Sequence, residues 1–196
     1  MGNAVIFFIT FFSFYITFSE SCTRHPQEHF CTAGIVVQAA VLEIDYRSQM
    51  EVINTVRISR DLKNSQPVPR TQCIHTRGSD ASCGTFFELN QDYIFTGNVL
   101  NSGSWFTTSC NFSPQVQYLS PFHRAALYLG IYRNNCDCKV TDCTFPGLDC
   151  PSVVLEIECV IRSESNAGCL YENNTCGRVG YRCNWILNVC FESRRY

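Results

Sequence analysis

A mainly-β chain is the fold class this sequence predicts: a small closed barrel with packed helices, followed by a smaller disulfide-rich β domain. Two observations carry it. Between residue 22 and Cys110 cysteines are sparse and strand-like apolar segments recur between turn residues, so this part can bury a core. From Cys136 to Cys190 a cysteine arrives every few residues, so that part is stapled rather than packed. A third observation, an apolar N-terminal leader, sets the compartment in which those cysteines pair.

The leader comes first. Residues 4–18 form a short uncharged apolar run, and Ser19 and Ser21 supply the small-x-small pattern of a cleavage site. The run is shorter than the roughly 20 residues of a spanning helix, and its n-region has no Lys or Arg. Residues 1–21 therefore read as a signal peptide, with no membrane span and a secreted product. Fourteen cysteines, an even number, then imply a disulfide framework rather than thiolate zinc sites. The formal net charge is −2 and no basic cluster occurs, which argues against nucleic acid or heparin as a partner.

A short helix is expected from Pro26, with Phe30 turned inward and Gly34 ending it. Segments 35–44 and 50–58 read as a long antiparallel pair around a polar turn. Segments 85–89, 93–100 and 105–110 follow as strands, separated by turn residues at 90–92 and 101–104. Five strands with one longer connection, 59–82, fit a five-stranded Greek-key barrel of the oligonucleotide/oligosaccharide-binding (OB) type. Residues 64–69 read as an exposed loop. The aromatic set Phe86, Phe87, Tyr93, Phe95, Trp105 and Phe106 is expected to fill the barrel. A second helix starts at Pro121 behind the N-cap Ser120, with Phe122, Ala125, Ala126, Leu129 and Tyr132 on its buried face. Domains are expected at 22–137 and 138–196, separable near Cys136-Asp137-Cys138.

Cleavage after Ser21 would leave Cys22 with a free α-amino group. An amino nitrogen and a carbonyl oxygen on one residue can close a five-membered chelate ring on a metal ion. His25 and His29 have the spacing of a metal pair, but His25 precedes Pro26 and should lie outside the helix, so both read as structural. His75 and His123 have no convincing nucleophile or carboxylate beside them, and paired cysteines are not nucleophiles. The chain is not expected to be an enzyme. Asn111 and Asn173 each open an Asn-x-Ser/Thr acceptor for glycosylation, the former followed by Pro114.

Several of these residues together carry a family resemblance. They are the leader ending at Cys22, His25-Pro26-Gln27 with Phe30-Cys31, Cys83-Gly84, Phe95-Thr96-Gly97, Thr107-Thr108-Ser109-Cys110 and the stretch from Gly130 to Cys143. Within the last, Cys136-Asp137-Cys138-Lys139-Val140-Thr141-Asp142-Cys143 is the most specific. In these elements the chain resembles the tissue inhibitors of metalloproteinases, which join a netrin-like barrel to a small disulfide-knotted domain. The resemblance spans essentially the whole mature chain and is weakest between Asp45 and Ser82.

What the resemblance implies is a secreted or matrix-associated inhibitor of matrix-type zinc metalloendopeptidases with no cofactor of its own. The nitrogen and oxygen of Cys22 would bind the target's catalytic zinc, Thr23 would enter the adjoining specificity pocket, and Asp80, Ala81, Ser82 and Cys83 would buttress the wedge. The chain departs from the family's Cys-x-Cys start, since Arg24 stands where the second cysteine would be. One alignment keeps Cys22 as the zinc-binding terminus; the other makes Cys22 the second cysteine, with Glu20 in place of the first and the chelating residue lost. Accordingly Cys22 pairs with Cys83 and Cys73 with Cys110, or Cys22 with Cys110 and Cys73 with Cys83. The resemblance further implies Cys31–Cys136, Cys138–Cys183, Cys143–Cys150 and Cys159–Cys176, leaving Cys169 for Cys190. The competing function is a non-inhibitory netrin-like binding module for a receptor, matrix component or pro-enzyme.

Overall fold

The computed structural model describes residues 24–63, 68–144, 150–162, 164–187 and 190. In chain order the elements are α1 (Pro26–Thr32), β1 (Ile35–Ser48), β2 (Glu51–Asp61), β3 (Thr71–Thr76), β4 (Asp92–Val99), β5 (Trp105–Phe106), α2 (Pro121–Tyr128), β6 (Lys139–Asp142), β7 (Glu158–Ile161), α3 (Glu164–Asn173), β8 (Cys176–Val179) and β9 (Arg182–Trp185). Five strands close a barrel in the order β1-β2-β3-β5-β4, with β3 and β5 parallel and the other pairs antiparallel. Its interior is filled by Val37, Val41, Val56, Ile74, Phe87, Tyr93, Phe95 and Trp105.

The membership of that barrel differs from the sequence expectation at one strand. Segment 71–76 lies inside the stretch read as a connection, yet it pairs with β2 from Thr71 to Thr76. Its alternation is concealed because the inward positions are Ile74 and Thr76, a single aliphatic and a buried hydroxyl. Segment 85–89, expected as a strand, is not one. Only Phe87 enters the core, while Phe86 and Leu89 are exposed, and the amides of Thr85 and Glu88 donate to the Thr76 and Tyr93 hydroxyls instead of to a ladder. Phe86 is therefore corrected from core to surface. The last strand also stops early, because residues 108–111 form a turn in which Asn111 Oδ1 accepts from the Thr108 amide and hydroxyl.

Both expected helices are present, with different ends. α1 is capped by His25, whose Nδ1 accepts from the Gln27 amide, and Phe30 is buried. Gly34 does not end it. The Lys63 ammonium donates to the carbonyls of Phe30, Cys31 and Ala33, satisfying C-terminal acceptors of the kind that a left-handed glycine cap would otherwise serve. Gly34 instead donates to the Gly97 carbonyl at 2.8 Å and starts the barrel. α2 is capped by Ser120 Oγ, which accepts from the His123 amide. Its buried face is His123, Ala126 and Leu127, whereas Leu129 is 75% exposed. Leu129 fails because the helix ends at Tyr128, so its phase no longer follows the 3.6-residue repeat. Tyr132, beyond the helix, is fully buried against Phe30 and Phe122.

After the Cys31–Cys136 disulfide the chain builds a parallel pair β6–β7, the helix α3 and the hairpin β8–β9. Cys138–Cys183, Cys143–Cys150, Cys159–Cys176 and Cys169–Cys190 all form, and half-cystines make up much of this small core, beside Val140, Ile161 and Leu170.

Side chains at the start of α1 join this cysteine-rich part to the barrel. Gln27 is fully buried. Its Nε2 donates to the carbonyls of Asn135 (2.9 Å), Cys138 (3.3 Å) and Cys176 (2.7 Å), and its Oε1 accepts from Thr175 Oγ1 (2.6 Å) and the Cys176 amide (2.8 Å). Three consecutive carbonyls at the end of α3 are also taken from the other side. His25 Nε2 meets Leu170 O at 3.0 Å, His123 Nε2 meets Tyr171 O at 2.8 Å, and Ser120 Oγ donates to Glu172 O at 3.1 Å. The Tyr171 and Glu172 carbonyls are orphan acceptors of a helix C-terminus, capped here from a distance in sequence, while Leu170 O also accepts from the Asn174 amide at 3.2 Å.

Two predictions follow from that joint. Gln27→Ala removes both functions of the amide while leaving buried carbonyls and an N–H without partners; since each such group costs about 1–3 kcal/mol, urea unfolding should show a loss of at least about 3 kcal/mol. The second concerns acid. Burial, the largest cause, pushes the His25 imidazole down to about 4, and burial with the nearby Arg24 does the same to His29. The unfolded chain therefore binds protons between about pH 6.5 and about pH 4 that the folded chain refuses, so stability is complete above this window and is lost as pH falls through it. The melting temperature should drop across that window, and the His25→Asn variant, which keeps an N-cap but cannot titrate, should show a shallower drop.

Candidate functional site

Cys22 and Thr23 lie outside the described residues. What is fixed is the chain immediately after them: Arg24 is exposed, and His25 and Gln27 are locked into the joint just described. The other half of the expected site is the loop at 80–83, where Asp80–Ser82 forms one 3-10 turn. Asp80 and Ala81 are exposed and Ser82 is half-buried.

The sequence dictates this loop locally. Ser79 and Ser82 hydroxyls lie 2.9 Å apart, Ser82 Oγ donates to the Ser79 carbonyl, and the Cys83 and Gly84 amides donate to Asp80 O and Ser79 O. Cys83 adopts φ 59°, the left-handed region that a non-glycine residue enters at a cost. Gly84 is required: a Cβ there would sit 2.5 Å from the Arg77 carbonyl oxygen. The loop is tied to the turn carrying Cys110 by the Ser109 amide, which donates to the Cys83 carbonyl at 3.0 Å.

Cysteine pairing at this site departs from the expectation. Cys73 and Cys83 are both free and exposed, whereas Cys110 is disulfide-bonded. Cys22–Cys83, Cys73–Cys110 and Cys73–Cys83 are therefore not formed. Geometry gives the reason for Cys73, which stands opposite Thr55 near the start of β3. The Cys83 loop is reached only beyond Arg77, four residues and roughly 13 Å further along an extended chain, and a disulfide needs Cα atoms within about 7 Å. Iodoacetamide labelling of the native protein should accordingly modify Cys73 and Cys83 and none of the cysteines from Cys136 onward.

His25 and His29 have the packed surroundings of structural residues, whereas His75 and His123, expected without a carboxylate beside them, each have one, Glu51 Oε1 at 3.3 Å and Glu172 Oε2 at 3.8 Å. Both nitrogens of His25 are engaged and its ring packs on Tyr171 and Trp185. His29 stacks on Phe112, His75 contacts Glu51 at 3.3 Å, and His123 serves the joint. The sulfurs of Cys138, Cys176 and Cys183 lie within 4.8 Å of one another, but all three belong to disulfides and cannot act as thiolate ligands. Among the described residues, then, no set fits a resident metal. No helix among them is long and apolar enough to cross a membrane. Gln27 is the functional residue that sequence reasoning left without a role. Its signal was a polar residue one turn before the buried Phe30 and beside a histidine N-cap.

Comparison with known proteins identifies the family. The chain is 30% identical over 137 residues to "Metalloproteinase inhibitor 3" of Scyliorhinus torazame, covering 65% of this chain and 62% of the relative. It is 28% identical over 137 residues to "Metalloproteinase inhibitor 4" of Mus musculus, covering 63% and 61%. It is also 30% identical over 134 residues to "Metalloproteinase inhibitor 3" of Gallus gallus, covering 65% and 62%. The matched part spans about three fifths of the length of these curated relatives. The family model described as "Tissue inhibitor of metalloproteinase" matches residues 19–185, through the barrel, the 80–83 loop, the joint and the hairpin β8–β9. With a match of that extent, the chain belongs to the tissue inhibitor of metalloproteinase family.

Proposed function

We propose that the protein is a secreted inhibitor of matrix-type zinc metalloendopeptidases, and that it acts through a mature N-terminus at Cys22 laid beside the 80–83 loop. The observation that carries this reading is the anchoring of the chain directly downstream. With His25 and Gln27 buried at the joint, a terminus only two residues ahead of Arg24 has a short, defined reach.

The state of the cysteines supports a Cys22–Cys110 link, since Cys110 is bonded and the other described cysteines are either paired elsewhere or free. That link matches the alignment in which Cys22 takes the second position of the family start. That alignment loses the family's own chelating residue, so the inhibitor reading rests on cleavage after Ser21, which would make the α-amino nitrogen and carbonyl oxygen of Cys22 itself the groups that hold zinc. Tied to Cys110, the terminus stays next to the Cys83 loop through the Ser109–Cys83 hydrogen bond. The α-amino group, ordinarily near 7.7–8.0, must lose its proton to donate a lone pair, and zinc assists by competing with that proton. Occupying the open position on a catalytic zinc excludes the water that would attack a peptide. The zinc is the target's. Thr23 would then fill the pocket next to it.

A specific observation favours a second reading, a binding module without inhibition that engages a receptor, matrix component or pro-enzyme. Cys83 is free, so the covalent buttress that the family places at this loop is missing.

The two readings separate in one titration. Native protein, a form with one alanine added before Cys22 and a Thr23→Gly variant are assayed against a panel of matrix-type metalloendopeptidases. The inhibitor reading expects inhibition by the native form, its abolition in the extended form, whose nitrogen has become an amide, and roughly tenfold weaker inhibition for Thr23→Gly. If the native protein inhibits none of the panel, or the extended form inhibits equally, the non-inhibitory reading takes its place.

A further inference from the structure

We infer that Asn173 carries an N-linked oligosaccharide and that Asn111, the other acceptor sequence, does not. The inference rests on the secreted reading, because only a chain passing through the secretory route meets the transferase.

The two acceptors are presented differently. Asn173 is the last residue of α3, exposed, and its side-chain amide has no hydrogen-bond partner among the described residues. Its neighbour is turned the other way: Asn174 is fully buried, with Nδ2 donating to Leu187 O and Oδ1 accepting from the amides of Leu187 and Thr175. The helix therefore ends with one asparagine projecting outward and the next serving as an internal bracket. Asn111 has the opposite character. Its Oδ1 is held by the Thr108 amide and hydroxyl at 2.9 and 3.0 Å, in the turn next to the bonded Cys110. Pro114 follows its acceptor serine directly, and that Ser113 hydroxyl is buried without a partner.

The transfer balances without a redox partner. The Asn173 amide nitrogen displaces the pyrophosphate of a lipid-linked oligosaccharide at C1 of the first sugar. An N–C bond forms, the C–O bond to phosphate breaks, the amide gives up one proton, and the lipid pyrophosphate leaves. The acceptor hydroxyl that completes the sequence belongs to Thr175, which is 2% exposed and donates to Gln27 Oε1. In the folded protein that hydroxyl is sealed inside the joint. Glycosylation must therefore precede the docking of Gln27 onto β8, and the sugar marks a chain whose two parts have not yet closed on each other.

The test expresses the full chain, with its own leader, in animal cells and follows the protein in the medium. Amidase deglycosylation should give one downward mobility step and convert Asn173, not Asn111, to aspartate in the peptide map. Asn173→Gln should remove the step and Asn111→Gln should keep it. Both changes are at positions whose loss leaves the joint intact, so secreted yield reports on folding. Secreted protein unmodified at Asn173, or modified at Asn111, overturns the inference while leaving secretion standing. Absence from the medium with the leader retained overturns both, and the mass of the N-terminal peptide tells the two failures apart.

Discussion

The buried side chain of Gln27 is the interaction on which the rest of this structure depends. A primary amide offers two donors and one acceptor oxygen with two lone pairs, and here the full set is spent on backbone groups from 135, 138 and 176 and on the Thr175 hydroxyl. No aliphatic residue of that size could replace it, since the carbonyls it collects would then be buried without donors. Because α1 is pinned to the barrel by Phe30, by the Lys63 cap and by Cys31–Cys136, whatever Gln27 holds is held to the barrel as well. His25, His123 and Ser120 extend the same logic to the end of α3. A barrel with its own apolar core and a smaller part stapled by disulfides thus share one polar seam.

That seam also fixes the position of Arg24, the first of the described residues. That position follows from the anchoring of His25 and Gln27, while the 80–83 loop is fixed independently by its serines, by Gly84 and by the Ser109 amide. An inhibitor that works by presenting its terminus to a zinc ion needs both supports, because affinity gained at the metal is forfeited if the terminus must first be ordered. A covalent tie at Cys83 is one way to supply that order. Here Cys83 is a free thiol and Cys110 is bonded, so on the proposed reading the support would come from the neighbouring turn.

Much of this was legible in the sequence. Ser120-Pro121 and Pro26 announced helix starts because N-caps and N1 prolines act locally, and the long pair β1–β2 followed from its own alternation. The five bridges from Cys31 to Cys190 followed from family resemblance rather than from spacing. β3 was not legible, because a strand with one aliphatic inward residue has almost no periodic signal. The helix α3 was hidden by the cysteines around it. The role of Gln27 could not be read either: its partners lie more than a hundred residues away, and a glutamine among polar neighbours looks like a solvated one. The states of Cys73 and Cys83 depended on β3 being an extended strand that carries the 80–83 loop away from Cys73, and β3 was the strand the sequence concealed.

The central claim, that the first residue of the mature chain reaches a target's zinc from a platform fixed by Gln27 and the 80–83 loop, is tested most directly by a crystal structure of the protein bound to the catalytic domain of a matrix-type metalloendopeptidase. The account predicts the α-amino nitrogen and carbonyl oxygen of Cys22 both at coordination distance from the zinc, about 2.0 to 2.2 Å, with no water on the metal and the loop at 80–83 against the rim of the cleft. A complex in which the zinc keeps its water and the protein docks through any other surface would contradict it.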